Sequence, residues 1–143
     1  MNKLLRLNFA PRYIDLGLLV FRLVIGVDLF IKHGWFKIAL FGNPAARFPD
    51  PFHIGVQLTL VFAFLSDGIG SVCVVLALMT RLFTVIMAVN LAVAWGGVYG
   101  FHYLAPAPPI TEELAIYLGS VIALGLTGPG RISLDAKLWP GMK

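Results

Sequence analysis

The chain of 143 residues contains a single cysteine, Cys73, and only 13% of its residues are charged. One cysteine excludes an intramolecular disulfide, a Cys-x-x-Cys redox pair and a cysteine-cage metal site. Within its apolar stretch, Cys73 reads as a small buried hydrophobe. Soluble domains are about a quarter charged, so this composition, with 59% hydrophobic residues and mean hydropathy +0.87, excludes an ordinary soluble globule. The net charge of +4 comes from basic residues dispersed between apolar runs. They form no basic patch, which argues against nucleic-acid binding. The chain also lacks a phosphate-cradling glycine loop, a serine-nucleophile elbow and a haem attachment motif. For redox chemistry, the electrons must therefore come from a partner protein or a bound small molecule such as a quinone.

What the chain has in abundance is long apolar runs. A spanning helix needs about 20 mostly apolar residues. Four such runs, at about 14–41, 54–79, 82–103 and 112–128, predict one all-α domain over 1–143: an integral membrane bundle of four transmembrane helices with a tail at 129–143. The basic start, Lys3, Arg6 and Arg12, resembles a signal peptide, but the following run is too long and too charged for one, so the first span is expected to be retained. Pro44, Pro49 and Pro51 break the first connector, and Asp50 before Pro51 reads as a helix N-cap. Thr80-Arg81 reads as a tight turn that folds the second and third spans into an antiparallel hairpin. Gly128-Pro129 stops the fourth, and Ser133 can cap a short helix whose Leu134, Leu138 and Trp139 lie on the membrane surface. Four spans put both termini on one side. Lys3, Arg6, Arg12, Arg81, Arg131, Lys137 and Lys143 mark that side as cytoplasmic, with Arg47 alone in the opposite loops.

The first span carries Arg22, Asp28, Lys32, His33 and Lys37. An ionisable group in a membrane span costs roughly 2.5–3.5 kcal/mol unless it finds a partner or water. Asp28 and Lys32 stand at i and i+4 in the favourable order for an ion pair. Arg22, Gly26, Leu29, His33 and Lys37 share one helical stripe, which needs acceptors from later helices. Counting residues from the span ends places Arg22 and Asp67 within about 6 Å in depth, so the two are expected to pair, with Asn90 adding to an intramembrane polar core. The readings of that core are a packing device, a ligand site or a proton relay. An outer cluster is expected from His33, Lys37, His102, Glu113 and Tyr117, with Lys37 or His33 meeting Glu113. His33, His102 and Glu113 come from three elements with no short ligand motif, so no metal site is assigned.

These residues resemble a family. Arg22 with Gly26, His33-Gly34 and Lys37, an acidic residue before Gly68 and Gly70, Thr80-Arg81, and the ending Gly128-Pro129-Gly130-Arg131-Ile132-Ser133-Leu134-Asp135 are similar to the DoxX family of small four-helix bacterial membrane proteins. Asp67 stands where a glutamate is common in such proteins. The resemblance implies a multi-pass protein of the bacterial inner membrane, related to the membrane subunit of thiosulfate:quinone oxidoreductase, with some members associated with thiol or sulfur redox partners.

The expected function is accordingly a membrane subunit, catalytic or not, that docks a redox partner or quinone beside the polar residues. A quinone carbonyl needs a donor such as lysine or histidine, and its proton a nearby carboxylate. The alternatives are a small-solute or metal carrier and a structural scaffold. Membrane lipids are expected partners, and Gly96-Gly97 and Gly68 to Ser71 offer close-packing faces for a bundle or an oligomer.

Overall fold

A computed structural model describes residues 13–41, 43, 48–101 and 110–139. The expectations placed on Lys3, Arg6, Arg12, Pro44, Arg47, His102 and Lys143 lie outside these residues. Among the described residues all regular structure is helical. Helix α1 comprises Ile14–Leu29, a π-helical segment Phe30–Gly34, and Trp35–Leu40. Helix α2, Val56–Leu76, contains a π-helical segment Leu65–Gly70, and helix α3, Thr80–Val98, ends in another, Ala94–Val98. Helix α4 is Ile110–Thr127, and a short helix α5, Leu134–Leu138, closes the described chain.

Three helices, α2, α3 and α4, are long and apolar enough to cross a membrane. Helix α1 is as long, about 40 Å at 1.5 Å per residue, but carries more charge. Its charges are sorted by face. Arg22 and Lys37 are buried with Gly26, Leu29 and Gly34, whereas Val20, Val24, Ile31 and Trp35 are exposed on the other side. The core is built from Leu29, Val74, Met87, Leu91, Leu114, Tyr117, Val121 and Leu124, which join all four helices.

Glycine sets the spacing of α1 and α2. A Cβ on Gly34 would stand 2.6 Å from the carbonyl oxygen of Asp67, and one on Gly26 would stand 3.1 Å from that of Ser71. Only a residue without a side chain lets the two backbones come this close. The contacts put Gly34 level with Asp67 and Gly26 level with the turn from Ser71 to Val75 in an antiparallel pair. The glycines considered as oligomer faces are used within the chain: Gly68 packs on Phe64, Gly70 on Met87, Gly96 on Phe101 and Gly97 on Pro51.

Two boundaries differ from expectation. The α2–α3 turn is Ala77 to Met79 rather than Thr80-Arg81, and Thr80 already opens α3. Ala77 and Met79 take left-handed φ of 53° and 48°, which is unfavourable for residues with a side chain, and Asp135 holds the turn by accepting from the N–H groups of Met79 (2.6 Å) and Thr80 (2.9 Å). Asp50 does not cap α2 directly. Gly55 is the N-cap, and the Asp50 carboxylate accepts from Gly55 N (2.8 Å), Ile54 N (3.2 Å) and Thr59 Oγ1 (3.0 Å), tying the preceding turn to the helix. Ser133 does cap α5, accepting from Ala136 N at 3.1 Å.

Candidate functional site

The acidic residue of α2 and the last lysine of α1 form the centre of the site. Lys37 donates to Asp67 through a very short contact, and both side chains are more than nine-tenths buried. Lys37 also donates to its own helix at His33 O (3.2 Å). The other carboxylate oxygen of Asp67, Oδ1, accepts from Ser66 Oγ (2.7 Å) and Asn90 Nδ2 (3.0 Å). Three helices therefore supply the shell of one buried carboxylate. Such a pair holds in a low-dielectric interior only when its remaining hydrogen-bonding capacity is satisfied, and Ser66 and Asn90 provide this.

Arg22 does not pair with Asp67. Its guanidinium donates from Nη2 to Ile132 O of the tail (2.6 Å), and it lies near Asp135. The physical reason is direction as well as depth. Gly34 is level with Asp67, so Arg22 sits about 18 Å further along α1. Side chains on a helix also lean toward its N-terminus, which carries Lys37 back to the level of Gly34 and Asp67 and carries Arg22 away from them to the tail. Around Arg22 the tail is pinned again, since Asp15 Oδ1 accepts from Arg131 N (2.8 Å) and Ala77 O from Asp135 N (2.9 Å).

A second set of polar groups lies between α1 and α4. Asp28 and Lys32 form the expected ion pair at 3.5 Å, and Lys32 also meets Glu113 at 3.4 Å. Tyr117 donates to Asp28 through another very short contact. The lysine partner of Glu113 is therefore Lys32 rather than the expected Lys37, which is turned to Asp67. His33 Nε2 stands 3.9 Å from Glu113 Oε2, too far for a hydrogen bond, and is buried without a hydrogen-bond partner among the described residues. The His33 ring packs edge-on against Tyr117, with centroids 5.7 Å apart.

His33, Lys37, Asp67 and Asn90 line one cavity of about 370 Å³. Its other walls are mainly apolar, including Phe36, Leu91, Val98 and Leu114, with Phe48, Pro49, Pro51 and Tyr99 beside them. A concave, mostly apolar space with a few convergent polar groups is the usual form of a small-molecule site. All three π-helical segments contribute to it: His33 lies in Phe30–Gly34, Asp67 in Leu65–Gly70 and Val98 in Ala94–Val98. Single π turns inside α-helices are frequent at functional sites. Sequence reading missed these segments, and missed Ser66 as a hydrogen-bond donor to Asp67. The available signal was Gly34 facing the Ser66-Asp67-Gly68 run. Among the described residues no group of three His, Cys, Asp or Glu side chains is placed to hold a metal ion, and His102 is not among them.

Searches of curated proteins and of solved structures gave no match. The DoxX family model matches residues 17–103, more than half of the chain, and covers most of α1 and all of α2 and α3, with Arg22, His33, Lys37, Asp67 and Asn90. This is a membrane protein, and the chain belongs to the DoxX family.

Proposed function

We propose that the protein is a multi-pass subunit of a bacterial inner membrane, with four spans and both termini cytoplasmic, that receives a quinone headgroup in the Lys37–Asp67 cavity and serves a redox partner. The observation that carries the reading is a buried Lys37–Asp67 pair, hydrogen-bonded to Asn90 and lining an apolar cavity, beside a buried His33 Nε2 with no hydrogen-bond partner among the described residues. Ionisable groups inside a membrane domain are expensive and are characteristically retained for function. The exposed apolar face of α1 supports counting it as the fourth span, because its buried Lys37 is neutralised by Asp67 and its buried Arg22 donates to a carbonyl of the tail. The basic residues Arg81, Arg131 and Lys137 support placing the tail in the cytoplasm.

The residues present fit such a ligand. Lys37 Nζ and His33 Nε2 are suited to carbonyl oxygens, and Phe36, Leu91 and Leu114 give a flat ring apolar walls. A quinone, when bound, supplies the two-electron, two-proton chemistry that the side chains alone lack. Within the chain, the Lys37 ammonium is the donor to a carbonyl oxygen, the Asp67 carboxylate holds that ammonium in place, and Asn90 and Ser66 fix the carboxylate. Electrons come from the partner.

Purification in mild detergent, followed by solvent extraction and identification of bound quinone and protein, tests this reading. The wild-type protein should retain quinone, and a Lys37→Met/Asp67→Leu variant should lose it. Equal quinone in both, or none in the wild type, would overturn it.

A further inference from the structure

At the opposite end of the bundle, a second hollow of about 480 Å³ opens between α3 and α4, lined by Arg81, Thr84, Ala88, Val121, Ile122 and Gly125 among others. Its floor is small or short: Gly125 leaves the space into which Thr84 fits, and a Cβ on Gly125 would stand 2.9 Å from Thr84 Oγ1. Its rims, Val85, Ile122 and Leu126, are apolar and exposed on two helices that are each able to cross a membrane. The hollow therefore faces lipid. From Arg81 to Ala88 it runs about 10 Å along α3.

Only the end at Arg81 is charged. Arg81 is the second residue of α3, exposed, and its Nη2 lies 4.0 Å from the Cβ position of Gly128, beside the end of α4. Among the described residues no ion pair engages its guanidinium. Arg131 and Lys137 are exposed on the adjoining tail, with the apolar Ile132, Leu138 and Trp139 beside them. An apolar channel at hydrocarbon depth, closed at one end by a free guanidinium at headgroup depth, matches a molecule with an acyl chain and an anionic head. A membrane-facing arginine is also well suited to bidentate contact with a phosphate.

We infer that the α3–α4 groove is a binding site for an anionic phospholipid, with one acyl chain along Ala88 and Gly125 and the headgroup phosphate at Arg81. Arg131 and Lys137 add attraction around the head, and the site is separate from the quinone cavity.

The test is native mass spectrometry of the detergent-purified full chain with phosphatidylglycerol, phosphatidylcholine or soluble glycerol 3-phosphate. The wild type should keep phosphatidylglycerol in preference to phosphatidylcholine and should not bind glycerol 3-phosphate. Arg81→Gln should cut that preference about fivefold, the effect of roughly one basic residue at an anionic surface. Ala88→Phe, which fills the groove and leaves Arg81 in place, should reduce retention of both lipids while the protein still elutes as a single species. Equal retention of the two lipids by the wild type, an unchanged preference in Arg81→Gln, unchanged retention in Ala88→Phe, or comparable binding of glycerol 3-phosphate would each overturn the inference.

Discussion

Lys37 of α1 reaches back one turn along its own helix and closes an ion pair with Asp67 of α2, where both side chains are almost fully buried. Removing one partner strands the other charge, which costs about 3–5 kcal/mol in a buried pair. Lys37→Met and Asp67→Leu should each lower abundance and melting temperature sharply. The double variant should recover most of that loss, and a fluorescence melt in detergent of the three proteins would show whether it does.

Arg22 and Asp67 share no contact, so their substitutions should behave independently. In a double-mutant cycle Arg22→Met and Asp67→Leu should add to within about 0.5 kcal/mol, whereas the Lys37–Asp67 cycle should show strong coupling. A large coupling between Arg22 and Asp67 would mean that the arginine points into the bundle after all.

Much of this arrangement is legible in the sequence, for definite reasons. The burial of Arg22, Gly26, Leu29 and Lys37 on one side of α1 follows from helical periodicity, which survives one π-helical segment well enough to keep the stripe on one face. The Asp28–Lys32 pair and the Ser133 cap follow from spacings of four and three residues, which are local. The partner of Asp67 is not local. Counting depth from estimated span ends ignores the lean of side chains toward the helix N-terminus, and ignores the register that Gly34 imposes on α1 and α2. The turn at Ala77 to Met79 was misplaced because it uses left-handed residues with side chains, held by an aspartate more than fifty positions away. The site's identity as a cavity depends on how four helices converge, and no single stretch of sequence carries that.

Gly34 should tolerate no side chain. Gly34→Ala places a methyl group 2.6 Å from a backbone oxygen and should destabilise by about 1–3 kcal/mol, the usual range for overpacking. At Gly119 of α4 an added Cβ meets nothing within 4 Å, and Gly119→Ala should gain about 0.5–1 kcal/mol from helix propensity. Opposite shifts in melting temperature are expected.

Asp135 fastens the tail to the α2–α3 turn. Asp135→Ala removes two acceptors from Met79 and Thr80 and should cost about 1–2 kcal/mol, as loss of a helix cap does. Limited proteolysis should then cut after Arg131 or Lys137 sooner than in the wild type.

Asp50 carries a pH dependence. Burial raises its pKa, but hydrogen bonds from Gly55, Thr59 and Ile54, together with nearby His53, more than offset this and hold it below the usual carboxylate range. A depressed folded pKa contributes stability above the unfolded value, near 4, and that contribution is lost as pH falls through the lowered folded value. Amide exchange at Ile54 and Gly55 should show this loss of protection only in acid, and Asp50→Asn should abolish the pH dependence.

Calorimetric titration of a soluble short-chain quinone into detergent-purified protein, comparing the wild type with Lys37→Met/Asp67→Leu, decides whether the Lys37–Asp67 cavity receives a quinone. The wild type should bind one quinone per chain saturably and the double variant none, with both proteins folded. Indistinguishable titrations, or no binding by the wild type, would contradict a quinone site there.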